Sequence, residues 1–243
     1  MDGFAGRRSA QATLSATQQR LAQQFVEALF EDASARCIAM IDAVLDECGD
    51  PQQVVVVLFN PAAVILERKW LDDECDFLQM TIVVSRMQRL FRQMVAAHPP
   101  TARPDVTRCA LLVQAPGDQH SLGLVIIDDA LTRAGWSVDC ASASGRTDMF
   151  RLAGSNDYRI IGISVGGVHA LRGLASVLDR LRRKSLNASV LLMAGGNQAI
   201  VDPRSVLSVG FDVIATDATS AVRLAESTVS SCLGRASRAV AAE

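Results

Sequence analysis

The chain has 243 residues, 49% of them hydrophobic and 21% charged, with a formal net charge of -2. That describes an ordinary soluble globular protein with room for one large domain or two modest ones, and two are expected. It gives no global electrostatic reason for nucleic-acid binding, no apolar run approaching the ~20 residues that span a bilayer, and no secretory h-region behind Arg7 and Arg8.

Residues 1–16 are small and polar and read as a flexible N-terminus. From Thr17 onward Leu21, Phe25, Val26, Leu29 and Phe30 recur at three- and four-residue spacing, one face of a helix. Cys37, Ile38, Ile41, Val44 and Leu45 mark a second helix, and Gly49-Asp50-Pro51 is a stop followed by a restart. The β-branched run 54–59 reads as a buried helix because Pro61 and the helical stretch 62–70 continue from it. A long helix is expected over 73–97, with Phe77, Met80, Val84, Met87, Leu90, Phe91 and Met94 on one side. Short connections make 17–98 a helical bundle. The proline-rich stretch 99–107 is a linker.

Beyond the linker, short apolar strands alternate with helices. Strands are expected at 108–113, 136–140, 158–165, 189–194 and 211–215, and helices at 121–134, 147–153, 168–184, 202–209 and 220–233. Runs such as Ile160-Ile161-Gly162-Ile163 are apolar on both faces, which indicates a parallel sheet. The prediction for 108–233 is a flavodoxin-like, doubly wound α/β domain with five parallel strands in the order 2-1-3-4-5, followed by a flexible tail at 234–243. Ligands of such sheets bind beyond the carboxyl ends of the strands, at the switch point beside the first strand.

The turn at that place is Gln114-Ala115-Pro116-Gly117-Asp118-Gln119-His120-Ser121-Leu122-Gly123. It lacks the glycine spacing of a dinucleotide fold and puts Asp118 and His120 where a phosphate would approach. A response-regulator receiver needs an acidic cluster here and an Asp ending the third strand, where this chain has Ser164-Val165-Gly166-Gly167. No nucleophile elbow, zinc-protease motif or carboxylate pair stands out, so an enzyme is not expected. The six cysteines form no CxxC pair, which indicates reduced thiols in a cytoplasmic protein and neither a disulfide framework nor a zinc site.

What remains is His120 with a carboxylate two residues before it, opposite Ser164 and Gly195-Gly196 at neighbouring strand ends. Imidazole is a common metal ligand, and a carboxylate on its second nitrogen fixes the tautomer and raises its basicity. Paired glycines let a bulky ligand approach the backbone. Taken singly, Asp118 or Ser121 reads as a helix cap and His120 as a loop residue. Taken together at one sheet end, they read as a binding site.

Asp118-x-His120-x-x-Gly123, with Ser164 after the third strand and Gly195-Gly196 after the fourth, resembles the cobalamin-binding domain of the methionine-synthase type. The resemblance implies His120 as lower axial cobalt ligand, Asp118 hydrogen-bonded to it, and Ser164, Gly195 and Gly196 lining a slot for the displaced nucleotide tail. Gln119, Ser121, Leu122, Gly123 and Gly166 are carried along as neighbouring contacts. His169 is expected to be a residue at a helix N-terminus and not a second ligand.

The helical part adds to this. Trp70-Leu71-Asp72-Asp73-Glu74-Cys75-Asp76-Phe77, then Thr81-Ile82-Val83-Val84 and Arg86-Met87-Gln88-Arg89, is similar to the AerR/PpaA antirepressors of purple photosynthetic bacteria. Cobalamin photoreceptors of the CarH type carry a Glu-His pair where this chain has Met80-Thr81. The resemblance implies Trp70, Met80, Thr81 and Val84 on the upper face of a cobalamin, in a hydroxo or aquo form and not an adenosyl form. It also implies a light- or redox-responsive regulator that acts by protein contact on a repressor of the PpsR/CrtJ type. Haem held by one His, and a corrinoid methyl carrier of a methyltransferase system, are the alternatives. The arginines at 86, 89, 92, 180, 182 and 183 are expected to be solvated faces.

Overall fold

The computed structural model describes residues 15–115, 122–141 and 146–240, and the side chains of all of these except 146–148 and 230–240. The chain forms two compact units, one running to Pro99 and one from Pro100 onward.

The first unit is helical. Helix α1 (Ala16–Phe30) starts on a reciprocal capping box between Ser15 and Gln18. Helix α2 (Ser34–Cys48) ends at Gly49, whose φ of 67° lets its N–H return to the Leu45 carbonyl. Asp50 caps the next helix, and Pro51 fills its first turn. The β-branched run is helical, as its context predicts, but its turns are not uniform. Helix α3 (Pro51–Val54) passes through a π-helical turn (Val55–Phe59) into α4 (Asn60–Leu71). The proline at 61 supplies the reason, because an ordinary turn would drive its ring into the carbonyl four residues earlier, and the wider turn relieves that clash.

Helix α5 (Phe77–Ala97) begins at the first residue of its apolar pattern, four residues later than the start expected at 73. Asp73 takes a left-handed φ of 54°, and Asp76 with Gln79 forms a second capping box. The buried stripe of α5 is Val83, Met87, Leu90, Phe91 and Met94, which turns Phe77 outward to 66% exposure. In the core of the bundle the Phe59 ring meets Phe25 and Phe91 edge to face, at centroid distances of 5.6 and 5.3 Å. Arg86 is not a solvated charge. It pairs with Asp32 at 3.1 Å and donates to the carbonyls of Leu29 and Phe30 that end α1.

The second unit is the doubly wound sheet that the sequence predicts. Strands β1 (Asp105–Gln114), β2 (Trp136–Ala141), β3 (Ile160–Ser164), β4 (Leu191–Gly195) and β5 (Val213–Ile214) are parallel, in the order β2-β1-β3-β4-β5. Alternate residues of each strand face opposite layers. Leu111, Val113, Ile161, Ile163 and Leu192 meet the layer that holds α7 (Arg146–Ala153) and α8 (Leu174–Lys184). Ala110, Leu112, Ile160 and Met193 meet the layer of α6 (Leu122–Arg133) and α11 (Ala218–Val240).

Between β4 and β5 lie α9 (Asn197–Val201), which the apolar pattern does not reveal, and α10 (Pro203–Ser208). The helix expected over 168–184 is divided. A 3-10 turn (Val168–Leu171) leads to Gly173 at φ 70°, and only then does α8 start. Helix α11 is tied to the sheet by Glu226, which accepts from the buried Trp136 indole and from Arg108, both at 2.9 Å. Among the described residues no helix is long and apolar enough to cross a membrane.

Candidate functional site

The carboxyl ends of β1, β3 and β4 come level, with Gln114, Ser164 and Gly195 in one row. Backbone hydrogen bonds hold the end of β3 from both sides: Ala115 N–H donates to the Ser164 carbonyl at 3.0 Å, and Val165 N–H to the Gly195 carbonyl at 2.8 Å. Ser164 is 7% exposed, one of the few polar side chains buried among the described residues. A polar side chain held at the level strand ends gives this edge a hydrogen-bonding group in an otherwise aliphatic setting.

Beside Ser164 opens a narrow slot with a free volume of about 30 Å³. Gly195 and Gly196 form its rim with Ser164, and Leu124 and Ile127 of α6 form one wall. Its floor is Leu112, Gly162 and Met193, with Ala215 at the side. The two rim glycines are there for different reasons. Gly196 has a φ of +89°, and a Cβ there would stand 2.6 Å from the Val165 carbonyl oxygen. Gly195 could carry a Cβ at ordinary distances, 3.8 Å from the Ala215 carbonyl oxygen and 4.0 Å from Ile127 Cδ1.

Of the residues singled out by sequence, the structure brings Ser164, Gly195 and Gly196 together, with Gly123 on the same slot. Leu122 and Gly123 open α6, and a Cβ on Gly123 would meet nothing within 4 Å. Gly166 lies half-buried just past β3 and does not line the slot. Asp118, Gln119, His120 and Ser121 lie outside the described residues. Within the helical unit, Trp70 near the end of α4 is 44% exposed. On α5, Met80 and Val84 are half-buried, and Thr81 is exposed with its hydroxyl donating to the Phe77 carbonyl at 2.8 Å. His169 sits in the 3-10 turn after β3.

Sequence reasoning passed over Gly162. The available signal was a glycine inside an otherwise aliphatic strand, which often marks a close approach. Here it makes the floor of the slot. A Cβ at this position would come 2.8 Å from Leu112 Cδ2 and 3.3 Å from Met193 Cε.

Burial raises the pKa of Asp128 on α6 from its ordinary value, and the neighbouring charge of Asp129 adds to the shift. Among the described residues no group of three or more His, Cys, Asp or Glu side chains is placed to hold a metal ion. What the described site offers is therefore a shaped, mostly aliphatic cleft with a single side-chain hydroxyl.

Comparison with known proteins places this geometry. The B12 binding domain family matches residues 108–225, which takes in β2 to β5, most of β1 and the slot. The chain is 31% identical over 155 residues to the uncharacterized 20.5 kDa protein of the bchF-crtJ intergenic region of Rhodobacter capsulatus, across 61% of this chain and 77% of that protein. The monomethylamine corrinoid protein of Methanosarcina barkeri superposes with a TM-score of 0.70 at 18% identity, over 86% of this chain and 98% of that one, a likeness of fold. A cobalamin-binding protein of Desulfitobacterium hafniense superposes with a TM-score of 0.45 at 16% identity, over 85% and 98%. With a B12 binding domain forming its sheet unit, and a Rhodobacter relative sharing nearly a third of the aligned residues, the chain belongs to the B12-binding domain family.

Proposed function

We propose that the protein is a non-enzymatic, cobalamin-binding regulator. His120 would hold the cobalt, Asp118 would orient its imidazole, and the slot beside Ser164 would hold the nucleotide tail. The observation that carries this reading is the slot itself. A flat ring needs backbone on one side and aliphatic side chains on the other, with a polar contact at one point. Gly162, Gly195 and Gly196 supply the first, Leu124 and Ile127 the second, and the hydroxyl of Ser164 the third. The residues present therefore fit the group.

A bound corrinoid supplies a cobalt centre whose ligands respond to light and redox state, and a hydroxo or aquo form is the one proposed here. The regulatory half of the reading draws support from the Rhodobacter relative, whose gene region is flanked by crtJ. The partner proposed is accordingly a repressor of the PpsR/CrtJ type, met by protein contact. A net charge of -2 agrees with action on a protein and not directly on DNA.

The test is an absorption spectrum of the purified protein before and after hydroxocobalamin, in darkness and in light, alongside His120→Ala. The native protein is expected to take up the corrinoid and shift its spectrum. His120→Ala is expected to stay folded and to lose that shift together with most of its affinity. Full binding with an unchanged spectrum in His120→Ala would remove the axial role. A Soret band on addition of haemin, with no corrinoid uptake, would decide for haem.

A further inference from the structure

The floor of the slot carries an inference that rests on the cobalamin reading and goes beyond it. We propose that Gly162, with Leu112 and Met193, sets the depth by which this chain chooses among corrinoids according to their lower base, accepting a benzimidazole and rejecting a purine. Three observations converge on it.

The first is the fixed position of the floor. Gly162 lies on β3, paired with Leu112 of β1 on one side and Met193 of β4 on the other. The wall formed by Leu124 and Ile127 consists of aliphatic side chains on a helix and can adjust by rotamer changes. A strand paired on both edges cannot retreat in the same way. At Gly162 itself the depth is thus set by backbone and not by a rotamer.

The second is how closely the floor is filled. A single methyl on Gly162 would come 2.8 Å from Leu112 Cδ2 and 3.3 Å from Met193 Cε. Both are far ends of flexible side chains, so the backbone could stay in place. The displaced ends would have to move, and they already line the slot. One added carbon at residue 162 therefore takes space from the ligand while sparing the fold.

The third is polarity. Among the described residues that line the slot, Ser164 alone carries a side-chain N–H or O–H group. A benzimidazole detached from cobalt presents one free ring nitrogen and a hydrocarbon edge, which one hydroxyl can satisfy. A purine base brings further ring nitrogens, and adenine adds an exocyclic amine. Each polar atom buried without a partner weakens binding by about tenfold or more.

The experiment titrates the full chain with three probes, followed by absorbance and calorimetry: cobinamide, which has no lower nucleotide, cobalamin, and the cobamide whose lower base is adenine. The native protein is expected to bind cobalamin at least about tenfold more tightly than the adenine cobamide. Gly162→Ala is expected to lose about tenfold or more for cobalamin and to keep cobinamide affinity within about twofold, with an unchanged circular dichroism spectrum. Met193→Ala, which deepens the floor, is expected to narrow the gap between the two cobamides. Equal affinity of the native protein for the two cobamides would overturn the proposal, and that comparison depends on no variant folding. Cobalamin binding in Gly162→Ala at the native level would overturn it as well. If the native protein took up no corrinoid, cobinamide included, the cobalamin reading itself would fall, a result distinct from a loss of discrimination.

Discussion

The main chain at Gly196 passes so close to Val165 that a Cβ on the glycine would stand 2.6 Å from the carbonyl oxygen and 2.9 Å from the nitrogen of Val165. The same contact lets Gln198 N–H reach the Val165 carbonyl at 3.1 Å, which joins the turn after β4 to the turn after β3. Gly196→Ala must accept both a φ of +89° and this clash, so a loss of about 2 kcal/mol or more is expected. Gly195→Ala, with its nearest new contact at 3.8 Å, is expected to change stability by less than about 1 kcal/mol. Urea unfolding of the two variants separates the roles of the pair, and equal losses would contradict the geometry.

That contrast shows what the sequence carries and what it does not. The aliphatic runs at 110–113, 160–163 and 191–194 announce strands buried on both faces, and strand order follows from chain order and right-handed crossovers. A Gly-Gly pair at a strand end announces room. Which glycine is needed for backbone geometry depends on Val165, just past the end of β3, and no local pattern contains that. Gly162 is harder still, because its meaning arises where Leu112 and Met193 converge from two neighbouring strands. In the helical unit, Asp76 and Gln79 are a legible capping box, but the acidic residues at 72–76 make an earlier helix start look as good. The Asp118-x-His120 pattern is read from sequence alone, since it lies outside the described residues.

Glu226 joins three elements through one oxygen, accepting from Trp136 Nε1 and Arg108 Nη1, both at 2.9 Å. Trp136 is fully buried, so Glu226→Ala leaves an indole N–H that has already given up water. A loss of about 1–3 kcal/mol is expected. Glu226→Gln keeps an acceptor oxygen and sacrifices only a partly exposed ion pair, for which well under about 1 kcal/mol is expected. A denaturation midpoint equally lowered in both variants would show that charge, and not the indole hydrogen bond, is what matters.

Arg86 shows how an arginine that looks solvated can serve as a cap. Its guanidinium reaches the Leu29 carbonyl at 2.8 Å, the Phe30 carbonyl at 3.2 Å and Asp32 at 3.1 Å, all at the C-terminal end of α1. Those carbonyls have no intrahelical donors, and a cation there also complements the helix dipole. Arg86→Met keeps the aliphatic stem and is expected to cost about 1–2 kcal/mol. Arg89 donates to the Ser34 hydroxyl at 3.2 Å in an exposed setting, and Arg89→Ala is expected to stay within about 0.5 kcal/mol. Thermal or urea unfolding of the two variants compares them directly.

Tyr158 is the single tyrosine of the chain and is fully buried. Its hydroxyl donates to Asp139 at 2.6 Å and accepts from Asn156 at 3.1 Å. Burial raises its pKa above the ordinary value of 10.0, and the hydrogen bond to the Asp139 carboxylate raises it further. The folded state therefore keeps the proton after the unfolded chain has released it. This contribution is fully present below the unfolded pKa and is lost as pH rises above about 10 toward the folded value. Tyr158→Phe is expected to be less stable near neutrality by about 1 kcal/mol, through the lost hydrogen bonds. Its deficit should shrink by up to about 1.4 kcal/mol for each pH unit beyond the unfolded value, because the phenylalanine has no proton to lose. Because no other tyrosine contributes, tyrosinate absorbance should stay absent from the native protein until it unfolds. A native tyrosinate signal at the ordinary pH, with a deficit that does not change with pH, would contradict the buried hydrogen bond to Asp139.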